Sequence, residues 1–179
     1  KQRSTERVRE LEPKLREWVL AQPDPLEAAV RLAIAGNAYD ALLLGTIHPE
    51  KVLAGVATFE PAVNEFAAFK ESLDKAKNVV YLFDNAGEAL LDKILIERLA
   101  PGRELTLVAR KAPIWNDVVA EDLVALGLDQ LGAVVDPGTD VMGAPPTLAS
   151  TEYKRRLDSA DLILAKGPAN FECLEETSL

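Results

Sequence analysis

The feature that most constrains this chain is a change of hydrophobic period at residue 78. Upstream, apolar residues recur three and four apart, at Val8, Leu11, Leu15, Trp18 and Val19 and again at Leu26, Ala29, Val30, Ala33 and Ile34. That spacing lines one face of an α-helix. From Asn78 the chain offers short continuous apolar runs instead, at Asn78–Phe83, Glu104–Ala109, Ala133–Asp136 and Leu162–Ala165. Helical patterns separate them at Ala89–Leu99, Ala120–Leu126 and about Ser150–Leu157, with another from Ala169 onward. Short runs of β-branched, leucine and aromatic residues are strands buried on both faces, and strands alternating with helices build a parallel sheet. The fold predicted is α/β: a doubly wound, mainly parallel α/β/α sheet with an N-terminal helical bundle. The division is a helical region at 1–77 and an α/β/α region at 78–179.

Within the helical half, the pattern runs from Ser4 to Leu44 and resumes at Pro49–Phe59 and Ala62–Ala76. Pro13 begins or kinks a helix, Asp24 is placed to cap the next one, and Gly36-Asn37 reads as an end or a break. Composition supplies the exclusions. With 48% apolar and 27% charged residues, the 179-residue chain can bury a full core. Its 29 acidic against 20 basic side chains give a net charge of −9, the wrong sign for wrapping a phosphate backbone, so no nucleic-acid partner is expected. A single cysteine, Cys173, forms no internal disulfide and is too little for a structural zinc site. No apolar run nears the roughly 18 residues of a membrane span, and the expected location is the cytoplasm. The chain opens on Lys1 and stops at Leu179 soon after a helix begins, as a piece of something longer would. The oligomeric state is not legible.

In parallel sheets ligands sit outside the carboxyl ends of the strands. Here every such end carries polar or glycine residues: Asp84-Asn85-Ala86-Gly87-Glu88, then Arg110-Lys111 with Asn116-Asp117, then Asp136-Pro137-Gly138-Thr139-Asp140, then Lys166-Gly167-Pro168-Ala169-Asn170. Asp84, Asn85 and Asp117 offer the oxygen ligands that hard divalent cations take; as single motifs Asp84 and Asp117 read first as helix N-caps, and the convergence of several such strand ends favours the metal. Lys166 and Gly167 at a helix start suit an anion, preferably phosphate, or form an ordinary turn with a solvated lysine. Gly138–Gly143 lacks the helix that a nucleotide loop requires. His48 is the sole histidine, so no triad is expected on it. Cys173 reads as a buried inert thiol, and Trp18 and Trp115 read as packing residues.

At Phe83-Asp84-Asn85-Ala86-Gly87-Glu88 the sequence resembles the metal-dependent damage-control phosphatases. The resemblance extends along most of the chain: Ala33–Asn37 with Asp40, Asp92-Lys93, Pro113–Asp117, Gly138–Asp140 with Gly143, and Asp161–Ile163 with Ala165–Gly167, Asn170–Glu172 and Leu174. It implies a helical bundle beside an α/β/α sheet, and a divalent metal ion (Mg²⁺, Mn²⁺, Co²⁺ or Ni²⁺) held by Asp84, Asn85 and Asp117. It also implies hydrolysis of small phosphate monoesters, sugar phosphates or damaged phosphometabolites. Lys166 matches the family's phosphate-contacting lysine, and Asn116, Asp140, Gly167 and Asn170 are placed with it around the phosphorylated metabolite. Asp84 is nucleophile or ligand; Glu88 orients water or is simply an acid in the first helical turn. Val118-Val119 departs from the family pattern, and the paired cysteines and terminal tail of some microbial members are absent, which leads to an expectation of a truncated microbial member. The rival readings are a metal- or nucleotide-binding regulatory domain and a haloacid-dehalogenase-type phosphatase, whose second acid is replaced here by Ala86.

Overall fold

The computed structural model describes residues 12–36 and 49–175. The sequence expectations for 1–11, for Asn37–His48 and for 176–179 lie outside the described residues. Helix α1 covers 12–20 and is followed by α2 (Pro25–Ala35), α3 (Pro49–Thr58) and α4 (Phe66–Lys75). Strand and helix then alternate: β1 (Asn78–Leu82), α5 (Ala89–Leu99), β2 (Glu104–Val108), α6 (Ala120–Ala125), β3 (Ala133–Val135), α7 (Thr151–Asp158), β4 (Leu162–Ala165) and α8 (Pro168–Glu175). The period change at residue 78 is where the first strand begins.

Local chemistry sets the boundaries. The Asp24 carboxylate accepts from Leu26 N and Glu27 N at 3.0 and 3.2 Å and starts α2 as an N-cap, with Pro25 in the first helical position. Ser150 caps α7 through Tyr153 N at 3.2 Å. Helix α4 starts at Phe66 rather than Ala62, because the Asn64 side chain takes the Phe66 N–H at 3.1 Å and holds the preceding residues in a turn.

The sheet is parallel throughout, in the order β3-β2-β1-β4. Its middle strand β1 divides the core by alternation. Val79, Tyr81 and Phe83 face a cluster built with Leu15 and Val19 of α1, Leu32 of α2 and Ile96 of α5. Val80 and Leu82 face the opposite side, where Tyr153 and Leu157 of α7 close over them. The larger core is therefore continuous from α1 to β2, and helical segment and sheet bury each other. Ion pairs reinforce the seam: Arg16 of α1 binds Glu97 of α5, and Lys93 of α5 binds Glu12 at 2.8 Å. Among the described residues no helix is long and apolar enough to cross a membrane.

Asp24→Ala should lower the unfolding free energy by about 1 kcal/mol in urea denaturation, the usual loss of an N-cap. Asp24→Asn, which caps but cannot form the ion pair that Asp24 Oδ2 makes with Lys70 Nζ at 2.6 Å, should retain most of the parent's stability.

Candidate functional site

Strand β1 lies between β2 and β4, so the residues that leave its carboxyl end are flanked on both sides. Phe83 N donates to Val108 O at 3.1 Å and Lys166 N donates to Leu82 O at 3.0 Å. Asp84 emerges between those two attachments. The chain after β1 is then fastened to the loop after β2: Val118 N donates to Asp84 O at 2.8 Å, Ala86 N to Asn116 O at 2.7 Å, and Asn85 forms an antiparallel bridge with Asp117. On the other side Gly167 has φ +80, and a Cβ built there would overlap the Asp84 carboxyl group. Only glycine lets β4 turn away at that distance. The backbone thus brings Asp84, Asn85, Asn116, Asp117 and Gly167 to one place.

Side chains complete the arrangement. The Asn85 Nδ2 donates to Asp84 Oδ2 at 3.0 Å and to Glu88 Oε1 at 2.7 Å. Lys166 Nζ donates to Glu88 Oε2 at 2.7 Å, Asp92 Oδ1 at 2.9 Å and Ala33 O at 3.0 Å. An ammonium has three donors, and here each has an acceptor. Arg110, 4% exposed, gives its Nε to Asp117 Oδ2 at 2.6 Å and its Nη2 to Asn170 Oδ1 at 3.1 Å. Asn170 is buried too, and its Nδ2 donates to Phe83 O at 2.9 Å and Lys166 O at 2.7 Å.

Several sequence expectations change on this geometry. Neither Asp84 nor Asp117 caps a helix: α5 begins behind Glu88 and α6 behind Val119, whose N–H goes to Asp122 Oδ2 at 3.2 Å. Lys166 is half-buried among acids rather than solvated. Asn170, expected among the phosphate contacts, has its carboxamide turned inward onto Arg110 and two backbone carbonyls, so it acts on the site through what it holds. Asp140 is exposed in the loop after β3, two strands away from β1. Cys173 is half-buried, with Sγ 3.7 Å from Met142 O. Trp115 does not pack at all, being 93% exposed. Sequence reasoning noted Arg110 only as a polar strand end and did not see that it holds Asp117. It placed Asp92 on an apolar helix without a role; an acid four residues after Glu88 lies on the same helical face, and that spacing was the available signal.

The electrostatics are acidic at the centre. Burial, followed by the charges of Glu88 and Asp117, pushes the Asp84 carboxyl above the usual carboxylate range, against the pull of Arg110 and Lys166. Burial raises Asp92 to about 6, although Lys166 and the Tyr81 hydroxyl, 2.8 Å from Asp92 Oδ1, work the other way. For Lys166 burial opposes the charge, but Asp92 and Glu88 outweigh it and raise the pKa. Four acids, Asp84, Glu88, Asp92 and Asp117, therefore face two cations, Arg110 and Lys166. Both cations are paired to acids other than Asp84. Among the described residues no three His, Cys, Asp or Glu side chains share metal-holding geometry. A divalent ion here would rest on two carboxylates and an amide with water completing its shell, a donor set that suits Mg²⁺-like ions, and the Asn85 amide presents oxygen in place of nitrogen by a half-turn. Two apolar hollows of about 140 and 200 Å³ lie along α2 and α4, the first reaching Lys166. Neither is lined by Asp84, Asn85 or Asp117.

The sequence model of the damage-control phosphatase ARMT1-like domain matches residues 1–179. The chain belongs to this family. A damage-control phosphatase of Pyrococcus horikoshii is 35% identical over 153 residues, covering 84% of this chain and 53% of the relative. One from Archaeoglobus fulgidus is 34% identical over 190 residues, covering 100% of this chain and 64% of the relative. The crystal structure of a DUF89 family protein from Pyrococcus horikoshii superposes with a TM-score of 0.87 at 32% identity, covering 99% of this chain and 62% of that one. The chain thus spans about half to two thirds of the length of these damage-control phosphatase relatives, and the α/β fold with its parallel sheet is the family's.

Asn170→Ala should lower the unfolding free energy by about 2–3 kcal/mol, because Phe83 O, Lys166 O and Arg110 Nη2 all lose a buried partner. Urea denaturation beside exposed Lys111→Ala, expected within about 0.5 kcal/mol of the parent, measures it.

Proposed function

We propose that this chain carries the catalytic edge of a metal-dependent phosphatase that hydrolyses small phosphate monoesters, such as sugar phosphates or damaged phosphometabolites, in the cytoplasm. The observation that carries the reading is the convergence of Asp84, Asn85 and Asp117 beside Lys166, at the carboxyl ends of three adjoining strands. Membership of a damage-control phosphatase family supports it.

In this reading Asp84, Asn85 and Asp117 hold a divalent ion: Mg²⁺, Mn²⁺, Co²⁺ or Ni²⁺. When bound, that ion withdraws charge from the phosphoryl oxygens and offsets the excess of acids. The remaining work falls to the protein. Arg110 fixes one Asp117 oxygen and so fixes the direction of the other. Glu88, anchored by Lys166 and by the Asn85 amide, orients Asn85 and is assigned to orient an attacking water. Lys166 supplies positive charge for the phosphoryl group. To donate a hydrogen bond to it, Lys166 must exchange an acceptor, and the neutral Ala33 carbonyl is the least costly to release. Asn116 and Gly167 line the approach, Asp140 stands further out on the same edge, and Asn170 maintains Arg110.

Asp84 is assigned as a metal ligand, since Asn85 and Asp117 alone would leave the ion one carboxylate. Phosphate release from a panel of sugar phosphates, with each metal and with chelator, tests the activity; no release with any metal would return the chain to a metal-binding regulatory domain. Asp84→Asn should abolish most release, with partial recovery at high metal concentration; full loss with undiminished metal binding would make Asp84 the nucleophile instead. The same variant should be at least as stable as the parent at pH 7. Its parent carboxyl has a raised pKa in the fold, so the stability that Asp84 contributes is present below the unfolded value and lost as pH rises through the folded one. A neutral amide removes that penalty, and a rising midpoint in thermal denaturation would register it.

A further inference from the structure

Trp115 stands where its residue type is least at ease. Asp117 N donates to Ile114 O at 2.9 Å, so Ile114–Asp117 is a tight turn whose first central residue is Trp115, with φ +51. Glycine, asparagine and aspartate favour a positive φ at that position, and a bulky aromatic residue there is strained. Packing does not offset the strain, because the indole is 93% exposed. The turn is nevertheless fixed at the site. The next residue, Asn116, takes the Ala86 N–H at 2.7 Å, and the one after, Asp117, is bridged to Asn85. The backbone of Trp115 is therefore carried at the rim of the acidic edge by a turn that cannot swing away without taking Asp117 with it. Other exposed apolar residues lie on loops and helix starts at that edge: Val141 and Met142 after β3, and Phe171 in the first turn of α8.

We propose that Trp115 is the specificity-determining residue of this site, an indole platform that stacks on the organic group of the phosphate monoester. The substrate class is then an ester whose organic group is a ring with an apolar face, a sugar or an aromatic ring, rather than a short open-chain acid. This rests on the phosphatase reading above. Stacking on an exposed indole accounts for the strained backbone, since a residue of easier geometry would give up the platform.

The test uses Trp115→Gly, which suits the turn, and Trp115→Phe, which keeps an aromatic face. In Trp115→Gly the ratio of kcat/KM for glucose 6-phosphate or phenyl phosphate over that for phosphoglycolate should fall about tenfold, the scale of one lost ring stack. Its thermal midpoint should not fall, and Trp115→Phe should keep the ratio within about threefold. Saturable quenching of the wild-type indole by phenyl phosphate, absent with inorganic phosphate and absent in Trp115→Phe where only Trp18 remains, reads the stacking without turnover. An equal loss on ring and open-chain esters, or no quenching, overturns the proposal. Quenching by phenyl phosphate in a protein that hydrolyses none of the esters overturns the phosphatase reading and leaves the ring site standing.

Discussion

One half-buried ammonium group governs how the parts of this protein meet. Lys166 leaves the end of β4, Glu88 and Asp92 come from the start of α5, and the Ala33 carbonyl comes from α2. A charge removed from water must be paired, and removing one partner of a buried pair is far more damaging than removing an exposed one. The ammonium therefore helps to specify, beside the apolar core, where α2 and α5 sit against the sheet. Two acids against one base leave a surplus, visible at Asp92. Its Oδ1 is shared by Lys166 and Tyr81, its Oδ2 is buried without a partner among the described residues, and its pKa is pushed up to about 6.

The second cation does the same for the other flank. Arg110 connects Asp117 to Asn170, and Asn170 connects onward to the backbones of β1 and β4. Three strand ends are thereby held in register by hydrogen bonds inside the fold, with Asp117 as the outermost member. Among the described residues Asp84 has no such ion pair; its side-chain neighbours are the Asn85 amide and the bare face of Gly167. A carboxylate left without its own cation between two other acids is where an added divalent charge gains most. That gain supports the proposed metal and leaves the ion pairs of Arg110 and Lys166 intact.

Most of the architecture was legible because it rests on period alone. The runs at Asn78, Glu104, Ala133 and Leu162 are each a strand, and the rule that ligands gather at carboxyl ends singles out the strand ends where Asp84, Asn85, Asp117 and Lys166 come together. What was not legible depends on three-dimensional partners. Lys166 could be read as a cation at a helix start, but its burial against Glu88 and Asp92 needs residues 74 and 78 positions away in the chain. Asn170 could be read as polar, but its inward turn depends on Arg110, 60 positions away. Trp115 was assigned to packing because large aromatic residues usually bury their surface. The turn that exposes it is made by Ile114 and Asp117, and an unfavoured left-handed tryptophan cannot be inferred from propensity.

These partners divide the polar residues by direction. Arg110, Asn170, Lys166 and Asp92 face inward, and their hydrogen bonds end on the protein itself. Asp84, Asn85 and Trp115 face outward at the same edge. Asp84 stands in electrostatic conflict with Glu88 and Asp117, and Trp115 in steric conflict with its own backbone. Such conflicts are sustained only where the surrounding structure is over-determined. Here the over-determination comes from the inward set, since the bonds that fix Asp117 and the ends of β1 and β4 do not pass through the Asp84 carboxylate or the indole. The fold at this edge therefore does not depend on the Asp84 carboxylate or the indole, and the unfavourable local energies there are better evidence of use than any favourable contact in the core.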